Sequence, residues 1–124
     1  MMKYVLLVGL GGGIGSMARY VAQRWINHIF PVVFPLGTFL VNFTGCLLIG
    51  ILFGFSLKNG QGPGGWNFFL MAGFCGGFTT FSAFTLESIG LLNDQKIFLF
   101  FIYLALSVLV GLLATYAGIK LSGV

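Results

Sequence analysis

Apolar residues run almost without interruption along this chain, and the few charged positions mark where the runs end. The intervals from Arg24 to Lys58, Lys58 to Glu87 and Lys96 to Lys120 contain no charge between their ends, and each holds one membrane-spanning helix of about 20 residues. A fourth run precedes Arg24. The pattern predicts an all-α membrane protein with four spans, at about 4–25, 36–57, 66–92 and 97–121, making one transmembrane domain over 1–124. Pro31 and Pro35 bracket the first connection, in which His28 reads as a loop residue without a ligand partner. "KNGQGPGGW", Lys58 to Trp66, is a turn-rich loop ending in an interfacial Trp, and "NDQK", Asn93 to Lys96, is a tight polar turn. The first span is expected to be retained, because its apolar run continues to Ala22 with no small-residue cleavage site before a polar domain.

Composition agrees with this reading. Hydrophobic residues make up 58% of the chain and charged residues 6%, and the mean hydropathy is +1.05, which excludes a soluble globular domain. The formal charge is +4, yet six basic residues spread over four spans make no patch for nucleic acid. Cys46 and Cys75 fall within spans, form no CxxC pair and read as small packing residues.

Charge says more about topology. With the N-terminus on one side, that side carries Lys3, Lys58 and Lys120, and the other carries Arg24 and Lys96, plus Arg19 if it snorkels that way. A near-tie predicts little or no orientation preference, so that chains inserted both ways can pair as an antiparallel homodimer. The alternative is that one marginal charge decides a single orientation.

The third span holds the densest chemistry. "GGFTTFSAFT", Gly76 to Thr85, packs two glycines, four hydroxyls and three phenylalanines into ten residues. The glycines lower helix propensity, and Thr79, Thr80 and Ser82 can bond carbonyls freed by a broken helix, so a break near the middle of this span is expected. Irregular backbone at membrane depth goes with a polar cavity, which makes this an ion or substrate site. The plainer alternative is tight helix crossing with back-bonded hydroxyls. Phe78, Phe81 and Phe84 recur every three residues, a packing stripe by default, although the positive ring edges of Phe81 and Phe84 would stabilise a small anion without trapping it.

Other polar positions face the same choice. Asn42 in span two, with Thr38 one turn earlier on the same face, offers two amide donors to a desolvated anion or serves as interhelical glue. Tyr103 and Ser107 add donors on one face of span four, with Gly111 continuing the line. Arg19 is a snorkelling anchor or a positive mouth. Gly11 and Gly15 have the spacing of close helix contact. Glu87 and Asp94 are the only carboxylates, so spans one and two hold no acid for proton coupling or cation binding. That argues against a small drug or guanidinium exporter, the next-best class. "GLGGGIGSMA" mimics a dinucleotide-binding turn, but the nearest carboxylate downstream is Glu87, so that reading fails.

Three blocks, "GGGIGSMARY" (Gly11 to Tyr20), "GTFLVNFTG" (Gly37 to Gly45) and "GGFTTFSAF" (Gly76 to Phe84), resemble the small bacterial fluoride channels, the Fluc or CrcB family, in family order. The resemblance implies an antiparallel dual-topology homodimer with two fluoride pores, a passive channel rather than an enzyme. Such a protein exports toxic fluoride across the bacterial inner membrane. It also implies roles. Asn42 matches the pore asparagine, Phe81 and Phe84 the pore phenylalanines, Tyr103 and Ser107 the polar track, Thr80 and Ser82 the hydroxyl-rich break, and Arg19 the arginine near the vestibule. The backbone carbonyls of Gly76 and Thr79 correspond to those that hold a structural Na+ at the dimer axis. Two positions depart from the family pattern: Ala83 stands where a hydroxyl is common, and Gly111 where the track often adds a serine.

Overall fold

A computed structural model describes residues 1–60 and 65–123. Residues 61–64, the middle of the expected Lys58–Trp66 loop, and Val124 lie outside the described residues. Every regular element among the described residues is helical: α1 (Met2–Ile29), α2 (Leu36–Lys58), the short α3 (Gly65–Asn67), a π-helical stretch (Phe68–Cys75), α4 (Gly76–Phe78), α5 (Phe81–Asn93) and α6 (Ile97–Leu121). Four stretches are long and apolar enough to cross a membrane: Met2–Ile29, Leu36–Lys58, Phe69–Asn93 and Ile97–Leu121. The third crossing therefore comprises the π-helical stretch, α4 and α5.

His28 lies in the last turn of α1 and not in the connection. Nothing before Pro31 stops the helix, and Phe30 N–H still bonds Ile26 O at 2.9 Å. At about 1.5 Å per residue, the 28 residues of α1 exceed a hydrocarbon core of about 30 Å, so its end projects beyond the apolar layer.

Two parallel pairs of crossings make up the bundle. Lipid tails supply no hydrophobic drive between helices, so close packing has to do that work, and small residues permit it. α1 runs beside the first half of the third crossing. Gly11 and Gly15 are buried there, and a Cβ built on Gly15 would strike Phe74 O and stand 3.0 Å from Phe78 N. The second pair is α2 with α6, where a Cβ on Gly118 would strike Leu47 O and come within 2.9 Å of Ile51 N. Thr115 Oγ1 donates to Cys46 O at 3.2 Å across this seam.

Side chains, not backbones, join the pairs. Asn27 Oδ1 accepts from Gly37 N–H at 3.2 Å, tying α1 to the start of α2. Phe84, Leu91 and Tyr103 form the buried cluster between α5 and α6, with Phe34 and Phe39 packed against it. Tyr103 meets Phe34 and Phe84 edge-on, with ring centroids 5.3 and 5.1 Å apart.

Candidate functional site

The third crossing breaks at Thr79 and Thr80, both extended, with φ −86°, ψ 156° and φ −144°, ψ 120°. The break lies two residues beyond Gly77, since Gly76–Phe78 is still helical. Two threonine side chains shape it. Thr79 Oγ1 donates back to Cys75 O at 3.0 Å and closes the first half, while Thr80 Oγ1 accepts from Ala83 N–H at 3.1 Å and caps α5. Of the three hydroxyls expected to bond freed carbonyls, Thr79 alone bonds a carbonyl, and that one, Cys75 O, still accepts from Thr79 N–H at 3.0 Å. Ser82 Oγ lies 3.5 Å from Thr80 Oγ1.

Asn42 holds the break from α2. Its Oδ1 accepts from Thr80 N–H at 2.7 Å and its Nδ2 donates to Thr80 O at 3.0 Å, so one amide satisfies both backbone groups of one extended residue. Only the second amide hydrogen is left over, where the sequence offered two donors. The diversion has a further effect. Thr80 N–H is the helical partner of Gly76 O, and Ala83 N–H, the partner of Thr79 O, bonds the Thr80 hydroxyl instead. Both carbonyls thus lose their partners four residues on.

Beside the break opens a groove of about 240 Å³, lined by Asn42 and Cys46 from α2, Thr79, Thr80, Phe81 and Phe84 from the third crossing, and Ser107 from α6. Phe81 and Phe84 face each other at 5.8 Å and 49°. The phenylalanine stripe divides here, because Phe78 stacks on Phe74 at 5.7 Å and 10°, away from this lining. Neutral amide and hydroxyl groups on an otherwise apolar wall suit a small, weakly held ion.

Two further candidates, Tyr103 and Arg19, are not among the groove-lining residues. Tyr103 is 0% exposed and its hydroxyl donates to Glu87 Oε1 at 3.1 Å, so it belongs to the buried cluster and not to the groove lining. Arg19 is half-buried, with Nε donating to Gly77 O at 3.0 Å and Nη1 to Gln23 Oε1 at 3.4 Å. Between them runs a continuous chain: Gln23 Nε2 donates to Thr38 Oγ1 at 2.9 Å, and Thr38 Oγ1 donates to Glu87 Oε2 at 2.9 Å. Arg19, Gln23, Thr38, Glu87 and Tyr103 therefore form one brace over α1, α2, α5 and α6. Gln23 was not recognisable as a member, although it stands four residues after Arg19. The lone intramembrane acid was the stronger signal, since Glu87 at that depth requires donors.

Fold and site together define a class: a four-crossing membrane protein whose broken third helix faces a small, uncharged groove with a few polar groups on an apolar wall. Residues 6–119 match the family model described as "CrcB-like protein, Camphor Resistance (CrcB)". The chain is 46% identical over 118 residues to a Flavobacterium psychrophilum protein, covering 95% of each. It is 44% identical over 122 residues to one from Azotobacter vinelandii, covering 98% of each, and 43% identical over 118 residues to one from Azobacteroides pseudotrichonymphae, covering 95% of this chain and 94% of the relative. All three relatives bear the name fluoride-specific ion channel FluC. The chain belongs to the CrcB family.

Proposed function

We propose that this chain is a passive, fluoride-selective ion channel, not an enzyme, that exports fluoride across the bacterial inner membrane and so relieves its toxicity. The carrying observation is the groove, where a spare Asn42 hydrogen, the Thr80 and Ser107 hydroxyls and the rings of Phe81 and Phe84 meet beside a broken helix in a chain close to proteins named for fluoride conduction. Donors of this kind replace part of a fluoride ion's hydration, and the absence of a formal positive charge among the groove residues keeps the ion from being trapped.

The working unit in this reading is an antiparallel, dual-topology homodimer. Phe81 is 76% exposed in the single chain, next to extended backbone and the exposed Ser82. Irregular backbone within the hydrocarbon region does not face lipid, so another protein surface has to cover it. A second copy suits the even split of basic residues, and it completes a cation site. The partnerless Gly76 and Thr79 carbonyls are neutral oxygen donors of the type that holds Na+ in unwound membrane helices, but two per chain form only half a shell. A bound Na+ would supply fixed positive charge at the axis and lock the two breaks together.

Fluoride efflux from liposomes containing the purified protein, followed with a fluoride electrode and repeated with internal chloride, tests the proposal. Fast valinomycin-dependent fluoride efflux with negligible chloride efflux is expected. No fluoride flux from a well-folded dimer overturns the function and leaves the fold in place.

A further inference from the structure

We propose that Arg19 is a positioning residue for the break, aiming the carbonyls of the cation site, and that its charge is not the source of its effect. The inference rests on the reading of Gly76 and Thr79 as cation ligands.

The geometry around the break defines the need. A peptide unit is planar and trans, so a hold on its N–H fixes the direction of its C=O, which points the opposite way. Thr79 O shares its peptide with Thr80 N–H, and Asn42 Oδ1 holds that N–H at 2.7 Å. One of the two ligand carbonyls is therefore aimed from α2. Gly76 O shares its peptide with Gly77 N–H inside the three-residue helix α4 (Gly76–Phe78), so its direction follows the placement of that short helix.

Arg19 holds that short helix from α1. It stands one turn beyond Gly15, where the backbone seam between α1 and the third crossing ends. A Cβ on Gly77 would strike Gly12 O, so the two backbones touch at this level. The guanidinium Nε then fixes Gly77 O, the next carbonyl after Gly76 O, at 3.0 Å. Gln23 fixes the guanidinium in turn, and through Thr38 the line reaches Glu87 on the far side of the break. The brace thus ties the end of α4 to α5, and the spacing of the two halves sets where Gly76 O and Thr79 O point. Partners outside the ligand shell that orient ligands in this way typically change metal affinity by about 10–100-fold when removed.

Charge and position predict opposite signs. A guanidinium close to a bound cation repels it, so a purely electrostatic role makes Arg19→Gln bind Na+ more tightly. A positioning role makes the same variant bind Na+ more weakly. The test is thermal unfolding of the purified dimer across a titration of NaCl against N-methylglucamine chloride, read as the Na+ concentration giving half of the stabilisation.

For Arg19→Gln that midpoint is expected to rise on the order of tenfold. Arg19→Lys, which keeps the charge and one donor, is expected to fall between Arg19→Gln and the unaltered protein. A midpoint that drops or stays put in Arg19→Gln overturns the inference. So does a melting temperature lowered equally with and without Na+, the mark of a merely structural residue. If Arg19→Gln does not fold, Gln23→Leu loosens the same guanidinium and is expected to raise the midpoint by less; no shift there overturns the inference too. An unaltered protein that never responds to Na+ removes the cation reading itself, a result distinct from an unmoved variant.

Discussion

Two polar regions lie side by side at membrane depth, and they treat their hydrogen bonds in opposite ways. In the brace, Arg19, Gln23, Thr38, Glu87 and Tyr103 bond one another or the backbone in sequence, and among the described residues no buried side-chain nitrogen or oxygen lacks a partner. In the groove, Asn42, Thr80 and Ser107 stand on an apolar wall with donor capacity left over. The brace contains the formal charges and spends them on holding helices together. The groove contains none and keeps its donors for an ion. A conducting site needs this separation, because a saturated network has nothing to offer and a bare charge releases its ion slowly.

The largest effect is expected from Asn42→Ala, since Asn42 both holds the break and lines the groove. Both backbone groups of Thr80 lose their partner, at a cost of about 1–3 kcal/mol each, and the groove loses its amide. Fluoride efflux is expected to fall by well over about tenfold, with a lowered melting temperature. Undiminished efflux would take the ion path out of the groove. Phe81→Ile comes next and leaves the brace untouched. The ring holds no hydrogen bond, and isoleucine keeps an apolar side chain on the surface that the proposed second copy covers, so the variant is expected to assemble. Aromatic edges contribute about 0.5–1.5 kcal/mol, which limits the loss of efflux to about tenfold or less. An equal loss with Phe81→Tyr, which keeps the ring, would assign the effect to bulk.

Much of this architecture was legible in the sequence because membrane depth makes polar residues conspicuous. The four crossings followed from charge-free intervals, and the break in the third followed from glycines and hydroxyls together. Which residues carry it was less legible: Gly77 is spent on contact with α1, a Cβ on Gly76 would meet nothing within 4 Å, and the two threonines beyond them are the extended residues. The partners of Asn42 were equally hidden, since the bond to Thr80 spans 38 positions of chain. Periodicity placed Tyr103 and Ser107 on one face of α6, correctly for the helix. It could not show that Glu87 draws the first inward to the brace and leaves the second in the groove.

Tyr103→Phe separates those two positions. The substitution removes a hydroxyl from the brace and leaves the ring packing against Phe34 and Phe84 intact. Glu87 loses one donor, which is expected to cost about 1–3 kcal/mol of stability, measurable as a lower melting temperature. Fluoride efflux is expected to stay within about threefold, a change smaller than one such hydrogen bond would give if the ion used it directly. A collapse of efflux to the level of Asn42→Ala would make the brace part of the path and erase the contrast.

The smallest effect is expected from adding to the groove. Gly111 lies on the lining, and a Cβ built there stands 3.6 Å from Cys46 Sγ, ordinary contact that needs no rearrangement. Gly111→Ser therefore places a hydroxyl one turn beyond Ser107 without strain, and the loss of a helix-interior glycine adds about 0.5 kcal/mol of helix stability. One added neutral donor holds an ion more firmly by about 0.5–1.5 kcal/mol. Efflux at low fluoride is then expected to rise, by no more than about threefold, because the groove already has donors to spare. Efflux at high fluoride, where release limits the rate, is expected to stay flat or fall slightly. If instead efflux drops at every concentration, the wall near Gly111 is used for its narrowness and not for its polarity, and the contrast between the two regions becomes one of shape as much as of hydrogen bonding.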